Sequence, residues 1–397
     1  MAFKEQYANK GYLASKKEST PGVAVTPNVY FPLYEEDFTT DIREDEDAPI
    51  VGIKHARYQM VQGQREHNGS FTVLAEPNTC GYLIDNIFTK ASTSGSGPYT
   101  HTFGESTATD PKTYTYDFAN GRHVHRYYGV SISEITPDKD DNKMLFKCQA
   151  SALGAFHSAA LAGTPTGTNP YTITLDTTYD PTPTKGLVVG DTMQIYDVSL
   201  DSYINFTIAS IPTATTITTT TDVTAGASGD ILTIKPATPS FSLLTPFQWA
   251  RTEYRIADTA ANALTAANYA AEEDTKGWTL THNFEDEGGS HRSGTYDPAA
   301  LLRTDSDVSV ELNHFYDDPQ EVQRFIAMTQ RALVIRHFSE SGYELRITVN
   351  DFRIAEGGKP SLKSTEYLYH EFVFKSNYKA ADSQAMDIKV LNAVSSI

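Results

Sequence analysis

Residues Asn68 to Lys90, NGSFTVLAEPNTCGYLIDNIFTK, read as a strand that runs into a short helix. Phe71, Val73 and Ala75 alternate with Ser70, Thr72 and Leu74, the pattern of a pleated surface with one face buried. Pro77 then falls where a first helical turn tolerates it, Asn78 and Thr79 are candidate caps, and Tyr82, Leu83, Asn86 and Ile87 recur at helical spacing. The same pattern returns from Asp305, in DSDVSVELNHFYDDPQEVQRFIAM. There Val308, Val310 and Leu312 alternate, Asp317 or Asp318 is the candidate cap, Pro319 takes the first turn, and Val322, Phe325 and Ile326 form the apolar stripe.

The segments downstream of the two copies agree as well. After the first come YGVSISEIT (Tyr128 to Thr136), the charged turn PDKDDN and KMLFKCQAS (Lys143 to Ser151); after the second come YELRITVNDFRI (Tyr343 to Ile354), the turn EGGKP and EYLYHEFVFKS (Glu366 to Ser376). Copies separated by roughly 240 residues are too far apart for a solenoid repeat and fit a duplicated domain. The expected fold is mainly β, with two similar domains that each carry a flanking α-helix and a small all-β domain inserted between them. The boundaries are 1–164 for the first domain with its N-terminal arm, 165–240 for the insert and 241–397 for the second domain. The insert shows as a change of composition. From Pro165 to Phe241 its only cations are Lys185 and Lys235, and short Thr-rich alternating runs are separated by Gly, Pro, Ser and Asp. Within the first domain, Met1 to Thr20 reads as a polar arm, and Tyr99–Phe103 with Thr113–Phe118 as a hairpin. IKVLNAV near the end of the chain reads as a last edge strand.

Length and composition bound the function. The 397 residues can bury two or three cores, and 23 Tyr, 19 Phe and abundant Thr lean toward strands. A net charge of −18, from 50 acidic and 32 basic residues, argues against generic affinity for nucleic acid. The N-terminal residues have no apolar core, so neither a signal peptide nor a membrane anchor is expected, and synthesis in a cytoplasm is implied. Cys80 and Cys148 read as buried small residues.

Catalytic patterns are thin. His123 and His125 share a strand face at a period that can hold a metal, but no acid or cysteine at ligand spacing accompanies them, so a surface pair is preferred and no metal or cofactor is expected. Glu35 with Glu36, and Glu285 with Asp286 and Glu287, offer paired carboxylates of the kind a glycosidase uses; acids clustered at a strand end are more often a solvated edge. The chain carries no phosphate loop, nucleophile elbow or zinc-protease motif. No catalytic residue is assigned.

The order PGVAVTPNVYFPL, then the acidic segment REDEDAPIVG, then the strand and helix ending in EPNTCGYLIDNIF resembles the tail tube proteins of long-tailed bacteriophages, over about residues 20 to 155 and again by topology in the second copy. The resemblance implies β-sandwich domains with a flanking helix and, where two copies are fused, trimeric rings of pseudo-sixfold symmetry that stack into a tube in the virion tail, assembled in the host bacterial cytoplasm. It implies tail terminator and tip or baseplate proteins at the ends, a tape measure protein in the lumen during assembly, and double-stranded DNA passing through without specific binding. Glu35, Asp37, Asp41, Glu285 and Glu287 are the candidate lumen acids. The loop carrying Arg43, Glu44, Asp45, Glu46, Asp47, Pro49, Ile50 and Val51 is the candidate contact between rings. A carbohydrate-binding adhesin, or a tail-tip or distal tail protein, remains the alternative, because tyrosine faces suit sugar rings.

Overall fold

A computed structural model describes residues 11–47, 59–104, 112–178, 180–199, 201–242, 244–267, 277–284, 296–301, 303–315, 323–324, 326–356, 369–377 and 386–397. It is mainly β, in antiparallel sheets, with one helix of two turns at Cys80–Ile87 and a single helical turn at Ala260–Ala263.

The duplication is visible in the order of paired strands. In the first unit the order is Tyr12–Lys17, Tyr114–Ala119, Val124–Asp140, Lys143–Ala152, Gln59–Leu74 and Thr39–Asp47, every neighbour antiparallel. In the second it is Gln248–Ala257, Arg331–Phe338, Glu344–Glu356, Tyr369–Ser376, Arg303–Phe315 and Gly277–Phe284, again antiparallel throughout. The helix Cys80–Ile87 comes after Gln59–Leu74, and helical backbone at 323, 324 and 326 comes after Arg303–Phe315.

Each unit is a two-layer sandwich because one long strand serves both layers. The first half of Val124–Asp140 lies in a back sheet between Tyr114–Ala119 and Gly154–Phe156, and its second half pairs with Lys143–Ala152 in the front sheet. Gly129 sits at the crossing with φ +65, where a Cβ would meet the Leu153 side chain at 2.6 Å, so both the backbone and the close approach require glycine. The second half continues through Pro137 to Asp140, which leaves Asp141 and Asn142 as the turn, shorter than the PDKDDN loop expected; Asp141 has φ 53. Glu344–Glu356 divides in the same way, with Met386–Asn392 beside its first half and Tyr369–Ser376 beside its second.

The front sheets of the two units join. Leu280 and Thr281 of Gly277–Phe284 pair with Ile135 and Glu134 of Val124–Asp140, so eight strands run without a break from Thr39–Asp47 to the second half of Glu344–Glu356. The main core spans the join, where Phe146 meets Trp278 edge to face with ring centroids 5.8 Å apart. The back sheets exchange an element: Thr89–Ser94 and Tyr99–Gly104 form a hairpin after the first unit's helix, and Tyr99–Gly104 pairs with Met386–Asn392 of the second unit.

Several expectations change. Tyr12–Lys17 is a strand clamped between Val29–Phe31 and Tyr114–Ala119, so this part of the N-terminal segment is not a loose arm. Tyr99–Gly104 does not pair with Tyr114–Ala119, and Met386–Asn392 has partners on both sides and is no edge. The helix at Cys80 starts on Thr79 without a side-chain cap; Asn78 instead bonds Ser242 Oγ and the Ala393 amide. Its Asp85 is buried among Lys17 Nζ at 2.6 Å, Lys112 Nζ at 2.8 Å and the Tyr114 hydroxyl at 2.7 Å. Burial alone would raise its pKa, but the hydrogen bonds from Lys112, Lys17 and Tyr114 outweigh it and hold the carboxyl below the usual range.

The insert contributes Tyr171–Thr174, Thr192–Asp197, Ser202–Thr207, Ser210–Thr213, Thr216–Thr219 and Ile231–Ile234. Its core is shared rather than separate: Tyr12, Ala14, Ala119, Val124 and Phe156 of the first unit pack with Met193, Ile195, Phe206 and Leu232. Period-two alternation explains how, because Leu13, Tyr116 and Phe118 face the main core while Tyr12, Ala14 and Ala119 face the insert. Ile234 pairs with Val124. Arg126, 1% exposed, meets Asp117 at 2.7 Å and Asp191 of the insert at 2.5 Å. The insert, expected as a small all-β domain, thus lies as a third layer bonded to the back sheet.

Candidate assembly interface

Among the described residues the eight-strand front sheet has two free edges. Leu33–Glu36 and Thr39–Asp47 pair, among the described residues, with Gln59–Leu74 alone. At the opposite end, Arg331–Phe338 flanks Glu344–Glu356 only as far as Phe352, so from Arg353 to Glu356 one side of that strand has no partner among the described residues. These two edges correspond, by position in their units, to the two strands that pair at the internal junction: Thr39–Asp47 to Gly277–Phe284, and Glu344–Glu356 to Val124–Asp140. The junction also carries a contact between Thr136 and Thr279 hydroxyls at 3.3 Å.

The acidic segment differs from the loop expected. Arg43 to Asp47 continues the strand from Thr39, with Glu44 opposite Gln62, Asp45 opposite Val61, Glu46 opposite Met60 and Asp47 opposite Gln59. The reason lies in the partner: residues 59–66 offer an unbroken set of backbone groups, and pairing satisfies them where no other strand among the described residues reaches. Because Lys143–Ala152 flanks Gln59–Leu74 only from His67 onward, the segment from Gln59 to Glu66 with Asp41–Asp47 is a two-stranded arm projecting roughly 25 Å past the sheet. Its base is held by the Arg65 amide on Tyr296 O at 2.8 Å and by the Arg65 guanidinium 3.8 Å from Asp297. Pro49, Ile50 and Val51 lie outside the described residues.

Of the candidate lumen acids, Glu35, Asp37 and Asp41 are exposed along the free edge strands. Asp37 also accepts from the Ser70 amide, which fixes the irregular step between Leu33–Glu36 and Thr39–Asp47. Glu285 and Glu287 lie outside the described residues. Sequence reasoning missed the Arg353–Glu356 edge and the junction at Leu280 and Ile135; the duplication itself was the signal, since two like units in one chain must present like edges. Near the acidic arm, Thr40 Oγ1 bonds His67 Nδ1 at 2.9 Å and His157 Nε2 at 2.8 Å, and His157 Nδ1 lies 3.1 Å from His125 Nδ1. Burial, with His125, His67 and Arg65 beside it, pushes the His157 imidazole down to about 4, so one ring nitrogen donates and the other accepts between neutral rings. Among the described residues no three His, Cys, Asp or Glu side chains cluster as a metal site would, and no helix is long and apolar enough to cross a membrane.

A search of curated proteins found no match. The phage tail tube protein family matches residues 8–365, which take in the first unit, the insert and the second unit as far as Glu344–Glu356, and the chain belongs to that family of structural, self-assembling virion tail components.

Proposed function

We propose that three chains close into a ring, with the Leu33–Asp47 edge of each chain pairing with the free side of Glu344–Glu356 in the next, and that such rings stack into a hollow tube for genome DNA. The internal junction carries this reading, because Gly277–Phe284 against Val124–Asp140 is the same join already made once inside each chain. A head-to-tail interface closes when its rotation repeats, and closure of a sheet into a barrel removes both free edges, which otherwise invite aggregation. In the closed barrel Glu35, Asp37 and Asp41, with Glu285 and Glu287, line the bore. A carboxylate surface repels phosphate and leaves a duplex free to slide. The tape measure protein occupies the bore during assembly, and terminator and tip or baseplate proteins cap the stack.

The projecting arm is the contact between rings. A two-stranded hairpin is marginally stable by itself, so an arm of this length gains a fixed position from a neighbouring surface. Pro49, Ile50 and Val51 supply apolar groups at its end, while Arg43 and Glu44 to Asp47 meet charges of the next ring. Replacing Ile50 and Val51 with Ser leaves single rings but blocks stacking, since each buried aliphatic is worth roughly 1.5 to 3 kcal/mol at every repeat of the polymer. Full-length tubes from that variant at wild-type concentration contradict the role. Native mass spectrometry of isolated rings counts chains directly: three per ring agrees with the proposal, and six refutes it.

A further inference from the structure

A cleft of about 340 Å³ opens where the insert meets the first unit, a size and a position typical of small-ligand sites. Arg122, His123, His125 and His157 line it from the first unit, and Tyr196 and Tyr203 from the insert. The hairpin of Thr192–Asp197 and Ser202–Thr207 sets Tyr196 opposite Tyr203, with ring centroids 5.2 Å apart and planes tilted by 44°. His123 lies 6.3 Å from the Tyr203 ring, and the Gln194 amide, donating to the Arg122 carbonyl at 2.8 Å, ties the two walls together.

The charge in this cleft runs against that of the molecule. Among the described residues no carboxylate lines it, in a chain of net charge −18. Asp201, which accepts the Tyr196 hydroxyl at 2.9 Å, is not among the lining residues. The Arg122 guanidinium makes no ion pair, and the Tyr203 hydroxyl no hydrogen bond, among the described residues. Burial lowers the His123 and His125 pKa values, so at neutral pH these rings offer hydrogen bonds rather than charge and Arg122 is the cation. Tilted tyrosine faces suit the C–H face of a pyranose, imidazoles suit its hydroxyls, and one guanidinium suits one carboxylate.

We propose that this cleft binds an acidic saccharide, with the sugar ring against Tyr196 and Tyr203 and its carboxylate on Arg122. A neutral sugar leaves Arg122 without a counter-charge, and a small inorganic anion leaves the tyrosine faces uncovered. The site needs no second chain and does not depend on ring closure.

Titration calorimetry on the full chain, with glucuronate, glucose and inorganic phosphate as probes, tests it. Glucuronate is expected to bind at least about tenfold more tightly than either of the others. Arg122→Ala and Tyr203→Ala each weaken glucuronate by about tenfold or more, while Tyr203→Phe, which keeps the ring face, retains most of the affinity. Circular dichroism melting checks that each variant is folded, and Tyr203→Phe against Arg122→Ala carries the test if Tyr203→Ala is not. Phosphate binding as tightly as glucuronate, no glucuronate binding by the folded wild type, or unchanged affinity in Arg122→Ala overturns the proposal.

Discussion

The two units share a skeleton and differ in what covers the far side of their back sheets. In the first, Tyr12, Ala14 and Ala119 are covered by the whole insert, and the contact is locked by a buried arginine between two aspartates. In the second, Arg331–Phe338 is covered by the single helical turn Ala260–Ala263 with its buried Ala263, and its charged cluster of Arg336, Glu344 and Glu253 stays partly solvated. The deep polar contact of the second unit is neutral instead: Trp278 Nε1 donates to His337 Nε2 at 2.9 Å inside the core. A duplicated domain thus keeps the same front sheet in both copies and varies at the back.

Arginine replacement breaks the comparison most sharply. Arg126→Ala leaves Asp117 and Asp191 buried without a counter-charge, and loses about 3 to 5 kcal/mol of unfolding free energy. Arg336→Ala, at a side chain 24% exposed, loses about 1 kcal/mol or less. Urea unfolding of both variants checks the contrast, and equal losses mean that the insert's ion cluster is not a lock.

Acid sharpens it. Burial pushes the His337 imidazole down to about 3 from an ordinary 6.5, so its contribution is complete above about pH 6.5 and declines below it. The unfolded chain takes up a proton there that the folded chain refuses. The loss is about 1.4 kcal/mol per pH unit, or about 2 kcal/mol at pH 5 relative to pH 7. His337→Gln, whose carbonyl can still accept from Trp278, flattens that part of the slope. The carboxylate of Asp85 in the first unit acts lower: its contribution, held by Lys17, Lys112 and Tyr114, is lost only as pH falls below the ordinary Asp value of 3.8. His157 of the first unit, pushed down to about 4, costs stability over the same range as His337. Urea midpoints across pH 3 to 7 are therefore compared between the wild type and His337→Gln, whose difference isolates the second unit.

The skeleton was legible because alternation and helical spacing are local signals, and they repeat at Phe71 and Val310 ahead of Pro77 and Pro319. Pairing between distant segments was not legible. Tyr12–Lys17 looks like a polar arm because Lys16 and Lys17 end a strand buried on both faces, which erases the one-sided alternation. The second partner of Tyr99–Gly104, on the side away from Thr89–Ser94, lies beyond residue 380, and nothing nearby in the sequence marks it. The insert's boundary was visible in composition, but its shared core was not, since Tyr12 and Val124 are ordinary strand residues until their second face is seen to be covered. At the interface, the acidic run Glu44–Asp47 stands out for its charge, which suggests a loop and hides the strand, while Arg353–Glu356 carries no unusual residue at all.

On the proposed assembly, each chain already contains the join by which it meets its neighbour. A cryo-electron microscopy reconstruction of the assembled tube tests this most directly. The proposed ring requires the Leu33–Asp47 edge of one chain to run antiparallel beside the Arg353–Glu356 side of the next, superposing on the pairing of Leu280 with Ile135. A tube in which Thr39–Asp47 faces solvent, or in which Arg353–Glu356 is covered by some other element, would contradict it.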